Sequence, residues 1–322
     1  MLDLKQLAVF VHVADSGSLT KAAIMLDVAR SGVSRQLQEL EVAFGRKLFH
    51  RTGRGVLLSN DGKALLPRAK RLLSDAEQLE AETRAQGGVP AGTVVIGLPA
   101  SVAELLAGPL LERLRARYPD IQIRLVEGLS GQTEELLADG RADIGLFFVK
   151  RPNVRKGHVA LCVTDLYLVG PPNDRLTAQK TVKLAALDGL PLILPGLPHA
   201  IRALVEEACA RAGIKPRVPL EVDSMSTMKA VAASGGGYTV SSFDTVAHDV
   251  ATKRLQAARI VSPPLERQLV MSATFHKPLT MAARLLMTEI RALTTEMMRT
   301  GRWKARPPAP TTGRSRNQAT RR

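Results

Sequence analysis

The chain has 322 residues, 45% hydrophobic and 23% charged, enough for two or three domains with a sizeable buried core. No basic leader with a cleavage site and no run of about 18 apolar residues is evident, so neither a signal peptide nor a membrane span is expected. Aromatics at 3% argue against a single-strand nucleic-acid binder built on stacking platforms, and Cys162 and Cys209, far apart and outside any CxxC pair, argue against a zinc site or disulfide framework and fit a reducing cytoplasm.

The net charge of +15 is unevenly placed: residues 1–86 contribute +3, residues 87–298 contribute +4, and the last 24 residues contribute +8 with no acid among them. It supports a polyanionic partner without locating the contact.

Leu4, Leu7, Val11 and Ala14, with Phe10 beside them, predict an amphipathic helix that stops at Ser16-Gly17. Ser18 is a good N-cap for a second helix. From Ser18 to Glu41 the chain reads as two short helices with a tight junction. Ala22, Ala23, Leu26 and Val28 form the apolar side of the first, and Val33, Leu37 and Leu40 one face of the second. Arg30, Ser31, Ser34, Arg35 and Gln38 stay outside. A helix pair presenting hydroxyls and guanidiniums suits the DNA major groove; alone, it equally describes an ordinary amphipathic hairpin with a solvated face. Phe44-Gly45 closes the helical run, and Thr52-Gly53-Arg54-Gly55 forms the tip of a short hairpin returning through Val56–Leu58. Three helices plus a hairpin carrying Arg51 and Arg54 make a winged helix-turn-helix. The expected DNA-facing set is Thr20, Lys21, Arg30, Ser31, Ser34, Arg35, Gln38, Arg51 and Arg54.

Ser59-Asn60-Asp61-Gly62 opens a long helix in which Leu65, Ala69, Leu72, Ala76 and Leu79, then Thr83, recur at alternating spacings of four and three. That is a heptad seam, and its simplest partner is a second copy of the chain; the other reading is a seam against its own effector domain. Pro67 is expected to bend the helix near its start. Residues 87–92 read as a hinge.

Strands and helices alternate from Thr93. A first series runs strand Thr93–Leu98, helix Val102–Tyr118, strand Ile121–Glu127, helix Thr133–Asp139 and strand Ile144–Phe148, then a long strand run Val159–Val169. A second begins near Leu192 and ends with strand Leu269–Phe275 and helix Thr280–Met298. This order implies parallel sheets with helices on their faces, in two similar halves with a cleft between them. In such sheets ligands sit beyond the strand C-termini and at helix N-termini. Ser101, Ser130, Phe148, His199, Ser224 and Ser226 all fall at equivalent strand ends or strand-to-helix turns and are the expected effector-binding set, although each hydroxyl is by itself also an ordinary cap. The serines favour a small anion such as a carboxylate. There is no GxSxG, HExxH, P-loop or dinucleotide fingerprint, so no catalytic set, metal site or cofactor is expected. Gly235-Gly236-Gly237 precedes a strand and reads as a tight turn.

The stretches LKQLAVFVHVADSGSLTKAA and SRQLQELEVAFGRKLFHRTGRGVLLSNDG resemble the LysR-type transcriptional regulators, and the resemblance extends to about residue 300. VVIGLPASVAELLAGPLLERLRARYPDIQIRLVEGLSG, RADIGL, DLYLVGP and LPLILPGLPHAIRALVEEA are similar to the branch containing nitrogen assimilation control proteins. The resemblance implies a winged helix-turn-helix at 1–59, a dimerising linker helix at 60–86, a hinge at 87–92, and a two-lobed α/β effector domain at 93–300 akin to periplasmic binding proteins. Its first lobe would comprise about 93–165 and 270–300, and its second about 166–269. It further implies a dimer or tetramer, double-stranded DNA and a small effector as partners, RNA polymerase as another, and a cytoplasmic location without membrane contact. By position, Arg30, Ser31, Ser34 and Arg35 would meet bases and phosphates, and Arg54 would enter the minor groove.

Two departures stand out. Ala29-Arg30-Ser31-Gly32 replaces the family's common Ser-Gln-Pro-Ala, removing a capping hydroxyl and placing a glycine in the recognition helix, each worth about 1 kcal/mol. Arg30 in place of Gln shifts the expected base from adenine to guanine. The Pro- and Arg-rich tail, 301–322, lies beyond the family and is expected to be disordered, either attracting DNA phosphates or serving no role. The functional reading is an effector-responsive transcriptional regulator; the rival is a cytosolic solute-binding or enzymatic α/β protein whose N-terminal helices serve assembly only.

Overall fold

The computed structural model describes residues 3–52, 55–84, 90–150, 157–276 and 278–309. Helix α1 (Leu4–Ser16) begins where the Asp3 carboxylate accepts the Lys5 N–H, and it ends at Gly17 in left-handed backbone. Ser18 caps α2 (Leu19–Met25) by accepting the Lys21 N–H. Helix α3 (Arg30–Phe44) ends at left-handed Gly45. Strands β1 (Phe49–Thr52) and β2 (Gly55–Leu58) pair antiparallel as the wing. One small core joins these elements: Leu7, Phe10 and Val13 of α1, Ala22 and Ala23 of α2, Val33, Leu37 and Leu40 of α3, and Phe49 and Val56 of the wing.

Helix α4 (Asn60–Arg84) leaves the wing through a close junction. Ser59 accepts the Gly62 N–H and donates its hydroxyl to the Lys47 carbonyl. A Cβ on Gly62 would lie 2.2 Å from the Leu48 carbonyl oxygen, so only glycine lets the helix start here. Further along, Lys70 pairs with Asp15, and Arg71 donates to the Asp139 carbonyl of the neighbouring domain.

That domain holds two lobes. Strands β3 (Gly92–Leu98), β4 (Ile121–Glu127) and β5 (Ile144–Val149) are linked by helices α5 (Ala100–Arg117) and α6 (Ser130–Ala138). The long strand β6 (Val159–Gly170) comes next, then β7 (Thr181–Lys183), a 3-10 turn Leu184–Leu187, β8 (Pro191–Leu194), α7 (Ala200–Arg211), β9 (Arg217–Glu221) and α8 (Met225–Ala233). The chain continues with β10 (Thr239–Ser242), α9 (Phe243–Ala251), β11 (Gln256–Val261), β12 (Glu266–Ala273) and α10 (Met281–Arg299).

β6 joins the lobes. Its first half pairs with β12 in a sheet ordered β4-β3-β5-β12-β6, and its second half pairs with β10 and β11, with β7 beyond β11. The change of partner falls between Asp165, opposite Glu266, and Leu166, opposite Ser242. Each lobe has its own core: Ile96, Leu106, Ile144, Leu146, Leu286 and Ile290 in the first, Leu168, Leu184, Leu194, Val205 and Ile260 in the second.

Three expectations change. β7, the 3-10 turn and β11 add to the expected elements; β7 has three residues, and β11 carries too few β-branched residues to announce a strand. β12 begins at Glu266 rather than Leu269, because its polar first residues pair with β6. The tail expected to be disordered is, over 301–309, packed: Trp303 is 2% exposed against the first lobe's core, and Arg306 exchanges two backbone hydrogen bonds with Val163 of β6. A single apolar side chain without a repeat leaves no periodic signal, yet it anchors this strap. Residues 310–322 lie outside the described residues, as do residues 87–89 of the 87–92 hinge.

Candidate DNA interface and effector cleft

The apolar stripe of α3 turns inward and leaves Arg30, Ser31, Arg35 and Gln38 exposed, with Ser34 half-buried beside them. Thr20 and Lys21 are exposed on the first turn of α2, and Arg51 on β1. Arg35 is held only loosely, 3.6 Å from Glu39 one turn on. Arg54 lies outside the described residues. At the N-terminus of α3, Ala29 makes no side-chain cap. Gly32 has open space around its missing Cβ, so packing does not require it. Behind the helix, Glu41 accepts the Leu48 and Phe49 N–H groups and the Lys47 ammonium. Burial opposes its charge, but those donors outweigh burial and hold the carboxyl below the ordinary glutamate value.

Of the expected seam, Ala69 is fully buried in the chain's own N-terminal core, and Leu65 packs partly against it. Ala69 is therefore turned away from a partner helix, a correction that stems from α4 beginning beside the wing, while Leu65 is half-buried. Leu72 and Leu79 remain 46% and 66% exposed, with Ala76 half-buried between them.

Between the lobes lies a cavity of about 300 Å³. The N-terminal ends of α5, α6 and α7 converge on it, bringing together Ser101, Ser130, Phe148 and His199. Ser130 Oγ accepts the Phe148 N–H at 3.2 Å, tying α6 to the end of β5 and leaving its O–H free to donate. His199 Nδ1 caps α7 by accepting the Ile201 N–H at 3.1 Å, so in the neutral ring Nε2 carries the proton. Ser224 and Ser226 do not line the cavity. Ser224 turns back to cap α8 and bonds Ser226 at 2.9 Å, while Met225 and Met228 face the space instead.

The dominant group in the cleft is one that sequence reasoning misses. Arg267 of β12 is 7% exposed, its guanidinium stacked 3.5 Å above the Phe148 ring. It donates to Ser242 Oγ at 3.2 Å, and its buried Nε has no partner. Among the described residues no carboxylate pairs with it, and desolvation pushes its pKa down to about 9. Burial, then the nearby Arg267 charge, take His199 down to about 4 against a smaller opposing pull from Asp223. The carboxylates lining the cavity, Glu104, Glu127 and Asp223, are solvent-exposed. A buried unpaired cation, three helix N-termini and a hydroxyl donor create a site of positive potential.

A winged helix-turn-helix joined by a long helix to a two-lobed ligand-binding domain defines a one-chain transcriptional switch. Residues 4–63 match the family described as "Bacterial regulatory helix-turn-helix protein, lysR family", and residues 87–295 match the "LysR substrate binding domain". The chain belongs to the LysR family of transcriptional regulators, with an N-terminal DNA-binding domain and a C-terminal effector-binding domain. Its relatives include the nitrogen assimilation regulatory protein Nac of Klebsiella aerogenes, 33% identical over 74% of this chain and 78% of that protein. The HTH-type transcriptional regulator BbuR of Bordetella bronchiseptica is 28% identical over 95% of this chain and 94% of its own length. Among solved structures, full-length CbnR complexed with its target DNA superposes with a TM-score of 0.69 at 24% identity, covering 91% of this chain and 100% of that one. A full-length OxyR variant from Pseudomonas aeruginosa gives 0.67 at 22%, covering 90% and 98%. These likenesses support the fold. No helix among the described residues is long and apolar enough to cross a membrane.

Proposed function

We propose that the effector is a small anion whose negative group is neutralised by Arg267, with Ser101, Ser130 and the Nε2–H of His199 completing its hydrogen bonds. The observation that carries this reading is the buried guanidinium with an unpaired Nε and no carboxylate partner among the described residues. Such a charge is costly unless paired, so a site whose own side chains leave it unpaired is built for a ligand that supplies the counter-charge. Anion binding would change the relation of the lobes only through a higher affinity for one arrangement. A thermal-shift panel of small carboxylates and other anions tests it: a responsive anion should lose its stabilising effect in Arg267→Met, and an unchanged response in that variant overturns the assignment.

The DNA contact is assigned to Thr20, Lys21, Arg30, Ser31, Ser34, Arg35, Gln38, Arg51 and Arg54, all of them in the N-terminal domain. Replacing Arg35 and Arg54 with Ala should abolish gel shifts of the chain's own upstream DNA while effector affinity persists. Two copies pair through Leu72, Ala76 and Leu79 of α4, whose leucines are exposed at heptad spacing. The remaining assignments are those of the family: domains at 1–59, 60–86 and 93–300 around the 87–92 hinge, action in the cytoplasm through RNA polymerase, and regulation rather than catalysis.

A further inference from the structure

A second cavity, about 680 Å³, lies where β6, β11 and β7 meet the start of α9 and the C-terminal strap, and it shares no lining residue with the effector cleft. Its floor is one cross-strand row, Tyr167 of β6 opposite Arg259 of β11 opposite Thr181 of β7. One wall is the start of α9, the other the C-terminal strap. Among the described residues, four cations line it, Lys180, Arg259, Lys304 and Arg306, with one acid, Asp165. Asp165 is shared: Arg306 donates to it at 2.6 Å and Arg259 stands 3.6 Å away. Arg306 also pairs with Glu266. Asp244, beside the cavity, acts on Lys304, so Asp165 and Asp244 between them face Lys180, Arg259, Lys304 and Arg306, and the concavity keeps an excess of positive charge.

The same cavity carries two aromatic faces, in a chain where aromatics are scarce. Tyr167 and Phe243 sit with ring centroids 5.4 Å apart. The Lys304 ammonium covers them, 3.7 Å from the Phe243 centroid and 5.1 Å from that of Tyr167. Lys304 is exposed and its backbone is pinned separately, its N–H donating to Asp244 at 2.8 Å, so the side chain can swing away without undoing the strap. A planar ring could take its place on the aromatic faces while the ammonium moves to a negative group. A simple anion would use the cations and ignore the rings; an apolar ligand would do the reverse.

From this arrangement we infer that the groove is a second ligand site for a multiply charged aromatic anion of the nucleotide class. Its phosphates engage Lys180, Arg259 and Lys304, and its base stacks on Phe243, the ring Lys304 now covers at 3.7 Å, meeting the edge of Tyr167, which is tilted 55° from it. The site is placed to influence the effector cleft. Phe243 directly succeeds Ser242, the residue that bonds Arg267, and Asp165 sits where β6 passes from one lobe to the other. A ligand that shifts the start of α9 therefore acts on the hydroxyl to which the buried guanidinium donates.

The test is calorimetric titration of the full-length protein with ATP as probe. Saturable binding at one site per chain is expected. Lys180→Ala/Arg259→Ala should weaken it at least tenfold while melting and shifting DNA like the wild type. Arg30→Ala/Arg35→Ala should leave ATP affinity within twofold, and Arg267→Met, which removes the bond to Ser242 but no group of the groove, should keep saturable ATP binding. Adenosine and tripolyphosphate should each bind at least tenfold more weakly than ATP. Absence of saturable binding, equal affinity in the Lys180/Arg259 variant, or loss in Arg267→Met would overturn the site, and tripolyphosphate binding as tightly as ATP would overturn the nucleotide class.

Discussion

The DNA-reading helix and the effector cleft both depend on arginine, in opposite ways. Arg30 and Arg35 are exposed, and the second is held only by a 3.6 Å approach to Glu39. Arg267 is buried, stacked on Phe148 and short of partners. Exposed guanidiniums keep their hydration and leave stability almost untouched, whereas a buried one strains the folded state until a counter-charge arrives. The first kind supplies affinity that salt can screen; the second couples ligand binding to the stability of the domain that holds it.

Substitution at Arg267 gives the largest contrast. Arg267→Met leaves an unbranched apolar side chain against Phe148 and removes the unpaired charge, so the effector domain should become about 1–4 kcal/mol more stable in urea while losing its anion response. A loss of stability above about 3 kcal/mol would show that the guanidinium has an adequate partner and would erase the contrast. Arg30→Ala or Arg35→Ala should do the reverse, leaving urea stability within about 0.5 kcal/mol and lowering operator affinity by about 1–3 kcal/mol each, read by gel shift at fixed salt.

Acid should separate the two regions in order. His199, buried neutral with its pKa at about 4, binds fewer protons folded than unfolded across the range from its ordinary 6.5 down to that value. The stability of the effector domain therefore falls as pH drops through that window. Glu41 is also depressed, but from the carboxylate range, so its contribution to the winged domain is intact above its ordinary value and is lost only as pH falls through its lower folded pKa. Urea midpoints against pH, measured separately for the two domains, should show the effector domain weakening first. His199→Gln should flatten its curve, and Glu41→Gln should flatten that of the winged domain. The smallest effects are at the start of α3, where Ala29→Ser and Gly32→Ala should each add about 1 kcal/mol of stability.

The same division decides what the sequence reveals. Exposed cations on α3 are implied by the inward faces of Val33, Leu37 and Leu40, since a helical period names its outside as surely as its inside. Ser101, Ser130, Phe148 and His199 are legible because topology places them beyond strand ends. Arg267 is not: Glu266-Arg267-Gln268 reads as a polar lead-in to an apolar strand, and only pairing with Thr164 on β6 turns the guanidinium inward. Ser224 and Ser226 stand at an equivalent turn, yet capping α8 satisfies them locally. Ala69 keeps its heptad position but faces its own domain, because period fixes the face of a helix without identifying what packs there. The signal that points to Arg267 is a lone arginine in a segment predicted to cross between lobes.

Trp303 is the chain's sole tryptophan, and it is buried beneath the strap that runs beside the hinge between the lobes. The protein thus contains its own optical gauge. Indole emission, blue-shifted while the ring is seated, reports on the strap and the first lobe alone, with no background from the DNA-reading domain. A red shift during titration with a ligand would register release of the strap from β6 in real time, without a label and without any change to the chain.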